Sequence, residues 1–260
     1  MLLHPSFTGE ILQKYGIPLK SHATEARTVI EYENMYGAIH YKILQEMGKY
    51  KYKIVSLGTS CFVRFTLGRY GLKPFKFEGE KSHPFDLSIH PISSIIECIR
   101  TDFNKYLDLN YISQDGNNFN HALYNAGFIH ENDLNGDKKM WLERYKKRID
   151  NFRELYGIEC PIFFIMMESG ITMTNDLYNQ LIDCLSEKFK NYKFIYLTTQ
   201  EADCPVYFDN VISFYKHIQL PTKDYKWQTS GYSETDVGIE FDLKTVEFVR
   251  NIIENSLTTK

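Results

Sequence analysis

The composition of the 260-residue chain excludes several classes of protein. Hydrophobic residues make up 43% of it and charged residues 24%, which is ordinary globular usage and argues against intrinsic disorder. A formal net charge of −3 lacks the basic excess typical of nucleic-acid-binding domains, so we expect no nucleic-acid partner. No apolar run approaches the roughly 20 residues that a membrane span needs, and the first residues lack the pattern of a secretory signal.

The cysteines indicate a reducing compartment. They are odd in number and widely spaced, with neither a CxxC pair nor the Cys/His spacing of a zinc site. Free thiols in this pattern are typical of the cytoplasm, and we expect a cytoplasmic protein without a metal or other cofactor. The five are Cys61, Cys98, Cys160, Cys184 and Cys204.

The first half of the chain begins with a helical pattern and then changes character. Residues 1–50 predict a helical N-terminal extension, ahead of a single α/β domain over residues 51–260. The near-continuous apolar run KYKIVSL predicts a strand buried on both faces. GTS predicts a turn, and CFVRFTLGRYG predicts a short helix that ends at Gly71.

A loop rich in proline, glycine and charge follows, and it carries His83, Asp86 and His90 in SHPFDLSIHP. The next segment, ISSIIECIRTDFNKYL, has apolar residues at helical spacing. Residues 108–130 predict loop and short strands. A charged helix is expected from about Asp137 to Tyr156, before Gly157.

The second half alternates regularly. ECPIFFIMM predicts a strand, NDLYNQLIDCLSEKFK an amphipathic helix with Thr174 or Asn175 as its N-cap, and YKFIYLTT another strand. PVYFDNVISFY predicts one or two short strands, and LKTVEFVRNIIENSL a final helix. Because parallel strands need a crossover between them, this order predicts a layered α/β fold. We expect a mostly parallel sheet flanked by helices in a Rossmann-like three-layer arrangement.

The turn GTSC is the first candidate for chemistry, because ligands of open α/β sheets bind beyond the carboxyl ends of the strands. It places Cys61 at the mouth of a helix, where backbone N–H groups and the helix dipole favour a thiolate. A small apolar residue that packs the turn is an equally good interpretation. Ser60 is a second candidate nucleophile, ranked lower because the GxSxG elbow is absent.

A thiol nucleophile needs a base, and the base needs a group that orients it. His130 follows the apolar run AGFI, a position typical of a strand end that projects into a site. His83 is the alternative base, and the sequence leaves the choice open. Asp86 either orients a histidine or is an ordinary turn residue.

Two further hypotheses remain open. The GTSC turn is also compatible with a phosphate held on helix N–H groups, with Arg144 or Arg148 neutralising the diphosphate of a nucleotide-activated sugar. Such a glycosyltransferase would need no covalent intermediate, although the P-loop and dinucleotide motifs are missing. The other hypothesis is a non-catalytic binding protein in which Cys61 is buried and inert.

Several of these segments together resemble one known family. They are VSLGTSCFVRFTLGRYGL, HPFDLSI with the apolar helix and TDFNKYLDL after it, FIHEND, ERYKKRIDNFREL and the strand IFFIMM. They are similar to the bacterial and viral family of putative papain-like cysteine peptidases, over about residues 52–241, although that family usually has Trp at the position of Leu87. The resemblance implies Cys61 as nucleophile and His130 as its partner. It also implies Asp86 and Arg148 as further site residues.

The patterns and the resemblance together predict a cysteine-dependent hydrolase or acyltransferase that acts on a peptide, ester or thioester acyl bond. Cys61 attacks, His130 moves the proton, and Asp86 orients His130 or holds its loop. Arg148 binds an anionic part of a small-molecule, peptide or saccharide substrate. The other predicted substrate-binding residues are Gly58, Ser60 and His83.

Overall fold

The computed structural model describes residues 52–70, 72–73, 80–168, 173–199, 206–222, 225 and 235–258. The predicted helical extension over residues 1–50 therefore lies outside the described residues. The chain divides into two units. The sheet unit comprises Tyr52–Arg64 and Lys76–His217, and the terminal unit comprises Met1–Lys51, Phe65–Phe75 and Ile218–Lys260.

Seven strands and five α-helices are described. The strands are β1 (Lys53–Ser56), β2 (Ile112–Asp115), β3 (Asn118–His121), β4 (Ala126–Phe128), β5 (Ile162–Glu168), β6 (Tyr192–Thr198) and β7 (Ser213–His217). The α-helices are α1 (Phe62–Arg69), α2 (Ile92–Arg100), α3 (Lys138–Arg153), α4 (Asn175–Lys188) and α5 (Asp236–Thr258).

Four strands form a parallel sheet in the order β1-β5-β6-β7. All seven residues of β5 are buried, which explains why this strand appears in the sequence as a continuous apolar run. The prediction of an α/β protein with a parallel sheet and helices is confirmed. The arrangement in three layers stays a prediction.

A second sheet lies within the long crossover between β1 and β5. Strands β2, β3 and β4 form an antiparallel meander, where the sequence predicted only loop and short strands. Ile89 extends it, because its backbone exchanges two hydrogen bonds with Gly127, of 2.8 and 2.9 Å. The last strand of this small sheet, β4, ends two residues before His130.

The helices begin and end for identifiable reasons. The Thr174 hydroxyl accepts a hydrogen bond from the backbone N–H of Leu177 at 3.2 Å, so the predicted N-cap of α4 is confirmed. Helix α2 ends at Arg100, earlier than predicted. Asp102 and Phe103 have φ values of 49° and 60°, and this left-handed backbone cannot continue an α-helix.

The core of the sheet unit lies on one face of the parallel sheet. Alternate strand residues such as Val55, Phe164 and Tyr196 contribute to it, together with the apolar faces of α2, α3 and α4. Aromatic side chains dominate the part under α3, where Trp141 and Tyr145 stack with ring centroids 4.6 Å apart. This core fixes α3 and the small sheet relative to each other, and both carry residues of the candidate site.

In the terminal unit, α5 buries a polar contact as well as apolar side chains. Asp242 is 2% exposed and accepts a hydrogen bond from Arg69 Nη1 at 3.0 Å. Tyr225 packs on Phe241 with ring centroids 5.1 Å apart. None of the helices in the described ranges has the length and apolar character of a membrane span.

Candidate active site

The GTSC turn, residues 58–61, has an unusual backbone. Gly58 and Thr59 have φ values of +64° and +59°, so two consecutive residues adopt the left-handed conformation before α1 begins. A Cβ on Gly58 would lie 3.3 Å from Ile95 Cδ1, in addition to the strain that its φ imposes. Glycine at this position therefore lets the turn pack closely on α2, and it brings Cys61 to the start of α1.

Two hydroxyl groups fasten the GTSC turn to the neighbouring strand. Thr59 Oγ1 donates to the backbone oxygen of Met167 at 2.5 Å, and Ser60 Oγ donates to the same oxygen at 3.2 Å. Ser60, a predicted substrate-binding residue, is thus buried and bonded to β5. Thr59 was not singled out from the sequence, because a threonine with positive φ leaves no sequence signature.

The structure places His130 beside Cys61. The two residues are 69 positions apart, and His130 Nε2 lies 3.1 Å from Cys61 Sγ. Cys61 is 6% exposed, whereas His130 is partly exposed and stands two residues beyond the last paired residue of β4. Of the two histidines that the sequence left open, the structure places His130 within hydrogen-bonding distance of the thiol.

Burial sets the charge state of this pair. It raises the pKa of the Cys61 thiol to about 11, and the backbone N–H of Cys61 opposes this only in part. Burial also lowers the pKa of His130, against a smaller opposing effect of the Glu131 charge. Both groups are therefore neutral near pH 7, and in the Nδ1–H tautomer of His130 the thiol donates to Nε2. The sequence predicted a thiolate from the helix mouth, but it does not show how strongly Cys61 is desolvated.

His83 and Asp86 lie together in the loop before α2. The backbone N–H of His83 donates to Asp86 Oδ2 at 2.8 Å, and His83 Nδ1 is 3.8 Å from the same oxygen. Both side chains are buried, and the His83 ring packs edge-on against Phe152 of α3. The role of Asp86 toward His130, and that of His83 toward substrate, stay predictions.

A buried chain of hydrogen bonds fixes the end of this loop. The Ser88 hydroxyl donates to the Pro84 backbone oxygen at 3.0 Å and therefore accepts from His90 Nδ1 at 3.1 Å. His90 Nε2 is then an acceptor for the Tyr106 hydroxyl at 2.9 Å. Burial, with a smaller contribution from His121, lowers the pKa of His90 to about 3. His90 is thus a neutral structural link.

A cluster of charges lies next to His130, and we call it the Glu131 cluster. Glu131 is fully buried; its Oε1 accepts from the Tyr145 hydroxyl at 2.9 Å and from Arg148 Nη1 at 2.7 Å. Its Oε2 accepts from Arg144 Nη1, and Arg144 also forms a fork on Asp133 with bonds of 2.9 and 2.6 Å.

The Glu131 cluster engages both arginines that the sequence predicted as anion-binding residues. Arg148 is only 5% exposed, and its guanidinium also stacks on Tyr145 at 4.6 Å. Burial lowers the pKa of Arg148, but the charges of Tyr145 and Glu131 outweigh it and raise this pKa above its ordinary value. Glu131 itself was not predicted. The sequence offered one indication of it. Arg144 and Arg148 are spaced to lie on one helix face, where they could bind a common carboxylate, and Glu131 next to His130 had no assigned role.

In the part of the chain that the structure describes, no three His, Cys, Asp or Glu side chains are grouped to hold a metal ion. Cys61 and His130 carry the functional groups that nucleophilic attack and proton transfer require.

Comparison with known proteins gives one result. Residues 52–135 match the family described as "Putative papain-like cysteine peptidase (DUF1796)". No curated protein and no solved structure matches the chain. The matched segment begins just before β1, includes the GTSC turn, and ends before α3, so that it contains both Cys61 and His130. The resemblance found in the sequence is therefore confirmed over residues 52–135, where the chain is similar to the putative papain-like cysteine peptidase family.

Proposed function

We propose that the protein is a cysteine-dependent hydrolase or acyltransferase in which Cys61 is the nucleophile and His130 its base. The observation that carries the proposal is the 3.1 Å distance between Cys61 Sγ and His130 Nε2. It is supported by the position of Cys61 at the start of α1 and by the similarity of residues 52–135 to a cysteine peptidase family. The substrate offers a peptide, ester or thioester carbonyl.

The neutral pair determines how the reaction starts. The thiol proton passes to His130 Nε2 while Sγ bonds to the acyl carbon, so that attack and general-base catalysis are coupled. The backbone N–H groups in the first turn of α1 lack acceptors within the helix and stabilise the oxyanion. His130 then gives the proton to the leaving group. Water or a second nucleophile, activated by His130, cleaves the thioester and releases Cys61.

The nucleotide-sugar hypothesis finds less support in the same geometry. Arg144 and Arg148, which would neutralise a diphosphate, donate to the carboxylates of the Glu131 cluster. The hydroxyls of Thr59 and Ser60, which would help to hold a phosphate, donate to Met167. We therefore propose only the cysteine-dependent reaction.

The test is acylation by p-nitrophenyl acetate, a small activated ester. We expect a burst of p-nitrophenol that approaches one equivalent, and an acetyl group on the peptide containing Cys61 in the mass spectrum. Cys61→Ala should abolish the burst. His130→Ala should slow it at least about 100-fold, which is the usual lower contribution of a general base.

Two controls test whether the reactivity of Cys61 comes from His130. Cys160 tests for the effect of solvent exposure, and His83 is the alternative base. Cys160 is more exposed than Cys61, so acetylation of Cys160 in place of Cys61 would show that access alone decides reactivity. If His130 is the base, a folded His83→Ala variant should slow the burst much less than His130→Ala does. If folded Cys61→Ala keeps the wild-type burst, Cys61 is not the nucleophile.

A further inference from the structure

His130 needs support from outside its own strand. The ladder between β3 and β4 ends with the pair Phe119 and Phe128, and residues 129–130 form a turn. Strand pairing therefore does not fix the ring of His130. A base that moves a proton must stay within hydrogen-bonding distance of its partner, so the residues that hold this turn are important for the reaction.

The next residue, Glu131, is anchored from α3 by three donors. Arg144, Tyr145 and Arg148 occupy two successive turns of one helix and bind both oxygens of the carboxylate. A buried carboxylate with these partners has little freedom to move, since releasing it would leave charges unpaired inside the protein. The backbone oxygen of Glu131 also accepts from the N–H of Leu134 at 3.0 Å.

We propose that Glu131 is a positioning residue: anchored by α3, it holds His130 against Cys61 and stabilises the imidazolium that forms when His130 takes the thiol proton. The part about proton transfer depends on the function proposed above. The part about the placement and charge of His130 does not.

We expect the charges of the cluster to have opposite effects on His130, because a carboxylate favours the imidazolium and a guanidinium disfavours it. Among the described residues, the Cys61 thiol at the start of α1 contacts His130, and the Glu131 charge raises the pKa of His130. Arg144 and Arg148 of α3 bind the Glu131 carboxylate. Asp133 is 65% exposed and forms an ion pair with Arg144 Nη2 at 2.6 Å. Removing the Glu131 charge exposes His130 to two guanidiniums, whereas removing one guanidinium leaves more of the carboxylate charge uncompensated.

The experiment measures the titration midpoint of the His130 ring by NMR, with the resonance assigned from His130→Ala. Glu131→Gln should lower the midpoint by about half a unit or more, and Arg144→Gln should raise it by a similar amount. Asp133→Asn, the control, removes an exposed charge from the same arginine and should change it much less. A role that is only structural would not produce shifts of opposite sign.

Shifts of the same sign, or no shift in Glu131→Gln and Arg144→Gln with folded spectra, would overturn the proposal. If Glu131→Gln does not fold, Arg144→Gln decides, because its side chain is 28% exposed and it keeps the Glu131 carboxylate. An unchanged or lowered midpoint in Arg144→Gln then overturns the proposal, and a raised one supports it.

A parallel measurement separates this inference from the proposed function. The acetylation rate of Cys61 should fall about tenfold or more in Glu131→Gln. If wild type shows no acetylation of Cys61, the proposed function fails, while the NMR titration still answers whether Glu131 sets the charge state of His130. If acetylation depends on Cys61 but the His130 midpoint does not respond, only the present inference fails.

Discussion

The stability of the protein at alkaline pH should report the charge state of Cys61. Burial raises the pKa of its thiol from 9.0 to about 11. The unfolded chain therefore loses this proton at lower pH than the folded protein does. A group whose pKa is raised by folding stabilises the protein fully below its unfolded pKa and loses that contribution as the pH passes through the folded pKa.

The magnitude follows from the two-unit difference. Each unit corresponds to about 1.4 kcal/mol, so the whole contribution is about 3 kcal/mol, and about half of it should be lost by pH 10. Cys61→Ser keeps a donor of similar shape for His130 but does not titrate in this range. Between pH 7.5 and pH 10, the unfolding free energy of wild type should therefore fall by about 1–2 kcal/mol relative to that of Cys61→Ser.

The assay is urea unfolding of both proteins at several pH values, under reducing conditions. The tyrosines and the other thiols titrate in both proteins, so their contributions to the pH dependence cancel in the comparison with Cys61→Ser. The opposite trend, with wild type gaining stability relative to the variant as the pH rises from 5 to 8, would mean that the native state holds a thiolate. The coupled proton transfer in the proposed reaction would then be wrong, and the nucleophile would be the thiolate that the sequence predicted at the helix mouth.

Three further predictions concern the surroundings of the GTSC turn. His90→Gln should make the protein less sensitive to acid, because His90 is protonated in the unfolded chain below its ordinary pKa of 6.5 but stays neutral in the folded protein. Between pH 8 and pH 5, the unfolding free energy of wild type in urea should therefore fall by about 2 kcal/mol more than that of the variant. Equal decreases would contradict the assignment of a neutral His90. Gly58→Ala should destabilise by about 1–2 kcal/mol through its left-handed backbone alone, with more from the contact with Ile95, and a variant as stable as wild type in thermal unfolding would refute that conformation. Thr59→Val keeps the side-chain shape but removes the shorter hydrogen bond to Met167, so it should lower the free energy of unfolding by about 1 kcal/mol. It should also slow acetylation of Cys61 more than Ser60→Ala does. The reverse order would show that Ser60 makes the more important hydrogen bond to Met167.

The elements near the site differ in how well the sequence predicts them. Strand β1, the GTSC turn and α1 are local features, because an apolar run, a glycine and a helical pattern are adjacent in the chain. Strands β2 and β3, with the sequences ISQD and NFNH, are short and mostly polar. Their pairing depends on contacts with the core under α3, and periodicity alone does not predict the second sheet.

The partners of the site were harder to predict than its position. The loop containing His130 is brought to Cys61 by the small sheet, so the sequence offered only its strand-end position and the family resemblance in favour of His130 over His83. The Glu131 cluster involves an acid in one loop and three donors in α3, and its members become a unit only in the folded protein. The desolvation of Cys61 is likewise a property of the packed structure, which is why the predicted thiolate and the buried neutral thiol differ.

The hydrogen bonds from Thr59 and Ser60 have a consequence for how this site tolerates mutation. Their common acceptor is a backbone oxygen, so any residue at position 167 that preserves β5 also preserves the anchor. A shift of β5 by one residue relative to β1 would turn the neighbouring carbonyl away from the turn and release it. The placement of Cys61 thus depends on strand register more than on the side chain of Met167. Insertions or deletions in the crossover should be tolerated only where they leave the pairing of Ser56 with Ile165 unchanged.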